Sequence, residues 1–245
     1  FRSWDNAPLP VAADGSAYAA ELAEAAAKAG TDESVITGEG RIGGRRVALI
    51  AGEFRFLDGS IGRTSAERVV LAFERATREG LPLFAAPSSG GTRMQEGTVA
   101  FLQMVKIAAA VTMHKQAHLP YLVYLRNPTT GAVFASWGSL GHVTVAQPGA
   151  LIGFLGPRVY EQLYGEPFAA GVQTDENLLA HGVIDGVVPL ESLRPTLDRA
   201  LRVLVDPPAE PPAADPAEPI PEVPAWESVM ASRRPDRPGV GWLLR

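Results

Sequence analysis

The sequence predicts an α/β fold built on a mainly parallel sheet. Two observations carry that prediction. Short strands alternate with helical stretches along most of the chain, and each strand runs into a loop rich in Gly, Ser or Thr. The 245 residues, 46% of them apolar, are enough to bury one sizeable core.

The elements follow in order. "SAYAAELAEAAAKAG" (16–30) is an alanine-rich helix ended by Gly30. "VITGEGRIGGRRVALIAGEF" (35–54) reads as two strands turned at Gly43-Gly44, a hairpin. "LDGSIGRTSAERVVLAFERATREG" (57–80) is a glycine-containing loop feeding a helix whose N-cap is expected at Thr64 or Ser65. "LPLFAAP" (81–87) is a short buried strand, followed by Ser-Ser-Gly-Gly and a buried helix expected over 92–116.

"LPYLVYL" (119–125) is a second buried strand, and "RNPTTGAVFASWGSLG" (126–141) a loop with a small-residue helix. "HVTVAQPGALIGFLGPRVYEQLYG" (142–165) supplies two short strands and a helix starting near Pro157, a favoured first helical position. "DENLLAHGVIDGVVPLESLRPTLDRALRVL" (175–204) adds a helix, a strand and a closing amphipathic helix. This places a domain at 1–205. The Pro/Ala-rich 206–224, "DPPAEPPAADPAEPIPEVP", reads as an extended linker before a C-terminal segment, 225–245.

Composition narrows the function. A net charge of −5 gives no basic field for nucleic acid or anionic lipid, so neither is an expected partner. The chain has no cysteine, which removes disulfides, thiolate nucleophiles and Cys-ligated zinc. The most apolar run, 101–113, is broken by Gln103 and Lys106 and is too short to span a bilayer, and the N-terminal residues lack a signal-peptide pattern. A cytoplasmic location is expected.

The chemistry lies in the glycine loops. Side-by-side Gly90 and Gly91 at a strand-to-helix junction suit close approach of a ligand to backbone, with the N–H groups of Gly90, Gly91 and Thr92 as candidate donors to negative charge. A second loop, "NPTTGAVFAS", places Gly131 and Ala132 where the next helix begins. Loops on neighbouring parallel strands open on one sheet edge, so their N–H groups are able to converge on a single oxygen. A tight turn packing helix on strand is the plainer reading of the same glycines. No Ser-His pairing or G-x-S-x-G elbow is present, and the four histidines sit outside any nucleophile constellation.

"SSGGTRMQEGTVAFLQMVKIAAAV", "LPYLVYLRNPTTGAVFASWGSLGHVTVAQPGALIGFLGPRVYEQ" and "ENLLAHGVIDGVV" together resemble the β-type carboxyltransferase subunit of acetyl-CoA carboxylase, of the acyl-CoA carboxylase carboxyltransferase family. The resemblance runs from about Phe1 to Val205. It implies a crotonase-like spiral of ββα units. It also implies transfer of a carboxyl group from carrier-borne carboxybiotin to the α-carbon of an acyl-CoA, acetyl-CoA giving malonyl-CoA being the first expectation. By this likeness Gly90, Gly91, Gly131 and Ala132 supply the oxyanion-hole N–H groups, and Gly59, Ser60, Gly62, Thr92 and Arg93 line the CoA cleft. The implied partners are an α-type carboxyltransferase half, a biotin carboxyl carrier protein and a biotin carboxylase, in an oligomer.

The chain departs from that pattern in three ways. It has no four-cysteine zinc ribbon, so no zinc is expected; the second loop has Ala132 where a glycine is usual; and the Asp usual near His142 is absent. The tail "PAWESVMASRRPDRPGVGWLLR" resembles the entry of the α-type half, which suggests one half of a β–α fusion. Two alternatives are a biotin-independent crotonase-fold acyl-CoA decarboxylase and a non-catalytic assembly subunit.

Overall fold

Hydrophobic alternation builds the sheet. The computed structural model describes residues 1–206 and 223–237, and β5 (Tyr121–Leu125) is buried along its whole length. Its side chains divide by parity: Tyr121, Val123 and Leu125 enter one apolar cluster, Leu122 and Tyr124 the other. Helices α2 (Arg63–Arg78) and α3 (Gly97–Gln116) cover the first face through Val69, Phe73, Met104, Ile107 and Val111. Helix α6 (Leu190–Val205) covers the second through Leu193, Leu197 and Leu201.

The hairpin β2 (Val35–Ile42) and β3 (Arg45–Gly52) is antiparallel, turning where Gly43 and Gly44 both have positive φ, 56° and 83°. A two-residue strand, β1 (Arg2–Ser3), pairs antiparallel with β2. From β3 the sheet continues parallel through β4 (Leu83–Ala86), β5, β7 (Val143–Ala146) and β9 (Gly186–Val187), in the order β1-β2-β3-β4-β5-β7-β9. A second sheet of two strands, β6 (Thr129–Thr130) and β8 (Ile152–Gly153), lies beyond the ends of β5 and β7 in sequence.

Helix α1 (Ala17–Ala29) has the caps its sequence implies: Ser16 Oγ accepts the Ala19 N–H, and Gly30 ends it at φ 73°. Helix α4 (Pro157–Tyr164) starts at Pro157, and α5 (Asp175–Ala180) is capped by Thr174. Two boundaries differ from expectation. The N-cap of α2 is Gly62, because Ser65 Oγ accepts the Gly62 N–H at 2.9 Å and Glu96 accepts the Arg63 N–H at 2.7 Å. Ser65 from within the first turn and Glu96 from 33 residues away thus take the first amides of the helix, and Thr64 Oγ1 instead accepts the Leu9 N–H.

The long helix begins at Gly97, not at residue 92. Thr92 bridges to Ile61 in extended conformation, Met94–Glu96 form a 3₁₀ turn, and Gly97 at φ 60° starts α3. Nor is α3 buried all round. Ala100, Met104, Ile107 and Val111 face the core, while Phe101, Leu102, Val105 and Met113 are exposed. The helical stretch Met94–Gln116 is longer than the 101–113 run read from the sequence, and by length and composition alone it is long and apolar enough to cross a membrane, with a third of its apolar window buried here.

The chain divides into two compact units, at 1–206 and 207–245. The expected linker falls largely on 207–222, outside the described residues, as does 238–245 of the expected C-terminal segment. Within 223–237, α7 (Ala225–Ser232) exposes Trp226 and Met230.

Candidate functional site

Three loops following β4, β5 and β7 are stitched edge to edge. Ser89 bridges Thr129: the Ser89 N–H donates to Pro128 O at 2.8 Å and the Thr130 N–H to Ser89 O at 2.9 Å. On the other side the Gly131 N–H donates to Gly153 O at 3.0 Å. The first two loops touch through glycine. A Cβ added to Gly131 would stand 3.2 Å from Gly91 Cα, which puts the two Cα atoms no more than about 5 Å apart. Gly91 at φ 117° and Gly131 at φ 70° both hold conformations that favour glycine.

Hydrogen bonding decides which amides remain open. The Gly90 N–H donates to Asp58 O at 2.8 Å, and the Gly91 N–H to Ser89 Oγ at 3.0 Å. With Gly131 bonded to Gly153, three of the four expected oxyanion donors are already engaged within the fold. Thr92 and Ala132, one residue after each glycine, are not: among the described residues nothing accepts their N–H groups. For Thr92 the reason is its bridge, in which Gly91 O and the Arg93 N–H face Ile61 and the Thr92 N–H points the other way. For Ala132 it is position in the first turn of a short helical segment that becomes π-helical over Phe134–Gly138.

A cleft of ≈ 360 Å³ opens beside this junction, lined by Leu57, Asp58, Ser60, Gly90, Thr92, Met94 and Gln95. Of the residues expected along it, Ser60 and Thr92 are on its wall. Gly59, Gly62 and Arg93 are not: each is buried beneath it. A Cβ on Gly59 would meet Ser88 O at 2.2 Å, and one on Gly62 would meet Glu96 Oε1 at the same distance. These two glycines serve close packing of backbone and cap.

Arg93 is fully buried, so its guanidinium is not presented to a ligand phosphate. Nη1 and Nη2 each stand 2.7 Å from a Glu33 oxygen, and Nη2 also donates to Ser60 O at 2.8 Å. Burial alone would draw its pKa down; the Glu33 carboxylate more than reverses that and raises it. Glu96 is held beside it, accepting from Tyr18 Oη at 2.6 Å and from the Arg63 N–H. Burial and that bond push the Tyr18 hydroxyl's pKa upward. The network ties α1, the 33–34 loop and the start of α2 to the segment carrying Thr92.

The remaining candidates are structural. Ser88 Oγ donates to Asn127 O and Ser89 Oγ closes its own turn. His114 is buried between Thr77 and Pro120 O, and His181 contacts Asn177 O. His142 Nδ1 accepts the Tyr121 N–H at 3.0 Å, doing at the start of β5 what a carboxylate acceptor would do. Leu57, Asp58 and Met94 also stand on the cleft wall, where the sequence alone does not pick them out individually, and Gln95, which reads from the sequence as a surface or subunit-contact residue, stands there with them. The signal for Asp58 was its place beside Gly59 in "LDGSIG".

The carboxyl transferase domain family matches residues 11–240. The chain belongs to that family. Its fold is the crotonase-like one. This carboxyl transferase domain is 70% identical, over all 245 residues, to the probable biotin-dependent acyl-coenzyme A carboxylase beta3 subunit of Mycobacterium tuberculosis, covering 49% of that protein. It is 43% identical over 197 residues to the acetyl-coenzyme A carboxylase carboxyl transferase subunit beta of Rhizobium meliloti, covering 80% of the chain and 65% of that relative. Among solved structures, transcarboxylase 12S with methylmalonyl-coenzyme A bound superposes with a TM-score of 0.63 at 26% identity, over 70% of this chain and 34% of that one. The carboxyl transferase domain thus spans about half the length of the first of these relatives.

Proposed function

We propose that this carboxyl transferase domain is the acyl-CoA-binding half of a biotin-dependent acyl-CoA carboxylase, and that acetyl-CoA is its first substrate, giving malonyl-CoA. The observation that carries the reading is the contact of Gly91 with Gly131, with open N–H groups on Thr92 and Ala132 immediately after it. On this reading the two donors, on adjoining loops, share one thioester oxygen and favour the charge that develops there when the α-proton leaves. Each preorganised donor is worth about 3 kcal/mol of barrier in comparable sites.

The chemistry asks little else of this half. Carrier-borne carboxybiotin, when bound, supplies the carboxyl group and, once that is released, a nitrogen able to take the α-proton. The chain's part is to hold the thioester, to orient its α-carbon and to keep both loops rigid through the Ser89–Thr129 and Gly131–Gly153 bonds. The ureido group's own hold is assigned to an α-type half, by the family likeness. The proposed partners are that half, a biotin carboxyl carrier and a biotin carboxylase. Choosing acetyl-CoA leans on the 43% identical relative named for it.

Reconstitution tests the reading. The chain is combined with an α-type half, biotin carboxylase and biotinylated carrier, and carboxylation is followed on acetyl-, propionyl- and longer acyl-CoA. Malonyl-CoA formed only when every component is present supports it. Loss of carboxylate from malonyl-CoA by the chain with no biotin present would assign the decarboxylase reading instead.

A further inference from the structure

Leu57 and Asp58 are consecutive non-glycine residues in the left-handed region, at φ 44° and 53°. A leucine there is an outlier; an aspartate tolerates the region better, though still less easily than glycine, so a glycine at either position would relieve the bend. The local fold uses the backbone of this bend, since Asp58 O accepts the Gly90 N–H. It makes no use of the Asp58 side chain. That side chain is exposed, and among the described residues no hydrogen bond or ion pair engages its carboxylate.

The position explains what an aspartate offers there. Leu57 and Asp58 line two clefts at once: the one beside Gly90 and Thr92, and an outer one of ≈ 240 Å³ lined also by Glu21, Glu24, Ala25, Lys28 and Arg55. Asp58 Cβ lies 3.8 Å from where a side chain on Gly90 would begin. A long ligand with its reactive end at Thr92 and its tail in the outer cleft must pass this carboxylate. A carboxylate accepts hydrogen bonds and repels phosphate, so it fits a neutral, N–H-bearing stretch of ligand rather than a phosphorylated one.

We propose that Asp58 is a substrate-binding residue whose carboxylate accepts an amide N–H of the arm joining the thioester to the nucleotide of an acyl-CoA. The assignment rests on the acyl-CoA reading above. It adds the residue that reads the arm, and it accounts for a strained side chain kept where glycine would be easier.

The test compares Asp58→Gly and Asp58→Asn with the unaltered chain in the reconstituted enzyme. Asp58→Gly removes the acceptor and relieves the backbone. Its Tm is expected to stay or rise, while KM for acetyl-CoA rises about tenfold and kcat changes little. Asp58→Asn keeps an acceptor oxygen and is expected to lose less. With ethyl thioacetate, a thioester lacking the amide arm, Asp58→Gly and the unaltered chain are expected to match. An unchanged KM in Asp58→Gly, or a fall in its Tm, overturns the proposal while leaving the acyl-CoA reading in place. Absence of acetyl-CoA turnover by the unaltered chain overturns both.

Discussion

Arg93 and Glu33 form a two-pronged ion pair, with both N···O distances at 2.7 Å and both side chains out of solvent. Phe56 lies against the guanidinium, 5.3 Å from ring centroid to Cζ, and Ser60 O takes a further N–H. A buried pair of this kind is weak evidence of net stability, but removing one partner strands the other charge. Arg93→Ala or Glu33→Ala is therefore expected to destabilise by about 3–5 kcal/mol in urea unfolding. Arg93→Lys is expected to recover only part, because one ammonium cannot fork onto two oxygens. A loss under 1 kcal/mol would mean the pair does not hold the cleft floor.

The two touching glycines separate in their consequences from Gly90. Gly131→Ala forces a Cβ to 3.2 Å from Gly91 Cα at φ 70°, so it is expected to lower stability by about 1–3 kcal/mol and to spread the loops. Thermal unfolding measures the first effect, and loss of carboxyl transfer the second.

At Gly90 the backbone is not at positive φ, and an added Cβ would meet Asp58 O at 3.5 Å, an ordinary contact. Gly90→Val is expected to keep a Tm near that of the unaltered chain while abolishing transfer, since the side chain projects into the cleft. Unaltered turnover in Gly90→Val would remove this cleft as the acyl site.

The buried histidine makes stability depend on pH. Burial depresses the His114 pKa, as it does that of His142, so the folded state favours neutral imidazole. The unfolded chain, with His near ~6.5, then binds more protons in mild acid. Stability from these groups is complete above that value and is lost as pH falls below it. Tm is expected to drop from pH 7 to pH 5, and less steeply in His114→Gln, which keeps polar atoms for Thr77 Oγ1 and Pro120 O. An equal slope in both proteins would assign the acid sensitivity to other groups.

What was legible in the sequence was local. Ser16 and Gly30 bracket α1, Gly43-Gly44 turn the hairpin, and Pro157 opens α4, because each rests on neighbours in the chain. The glycine loops were legible for the same reason, being strand ends marked by residues with little other use. What escaped was set across the fold. Arg93 reads as a surface cation until Glu33, 60 residues away, closes on it. The α2 cap moved to Gly62 because Glu96 reaches back to Arg63, and α3 was delayed to Gly97 because Thr92 pairs with Ile61. Thr92 and Ala132 were both legible as donors; that Gly91 is not open was not, since Ser89 Oγ claims its N–H.

The most direct test is a crystal structure of the chain with acetyl-CoA bound, refined with the thioester in place. The carbonyl oxygen is predicted within roughly 2.7–3.2 Å of both the Thr92 and Ala132 nitrogens, the acyl group lying over the Gly91–Gly131 contact. A thioester seated elsewhere, or a carbonyl turned away from both amides, would contradict the account.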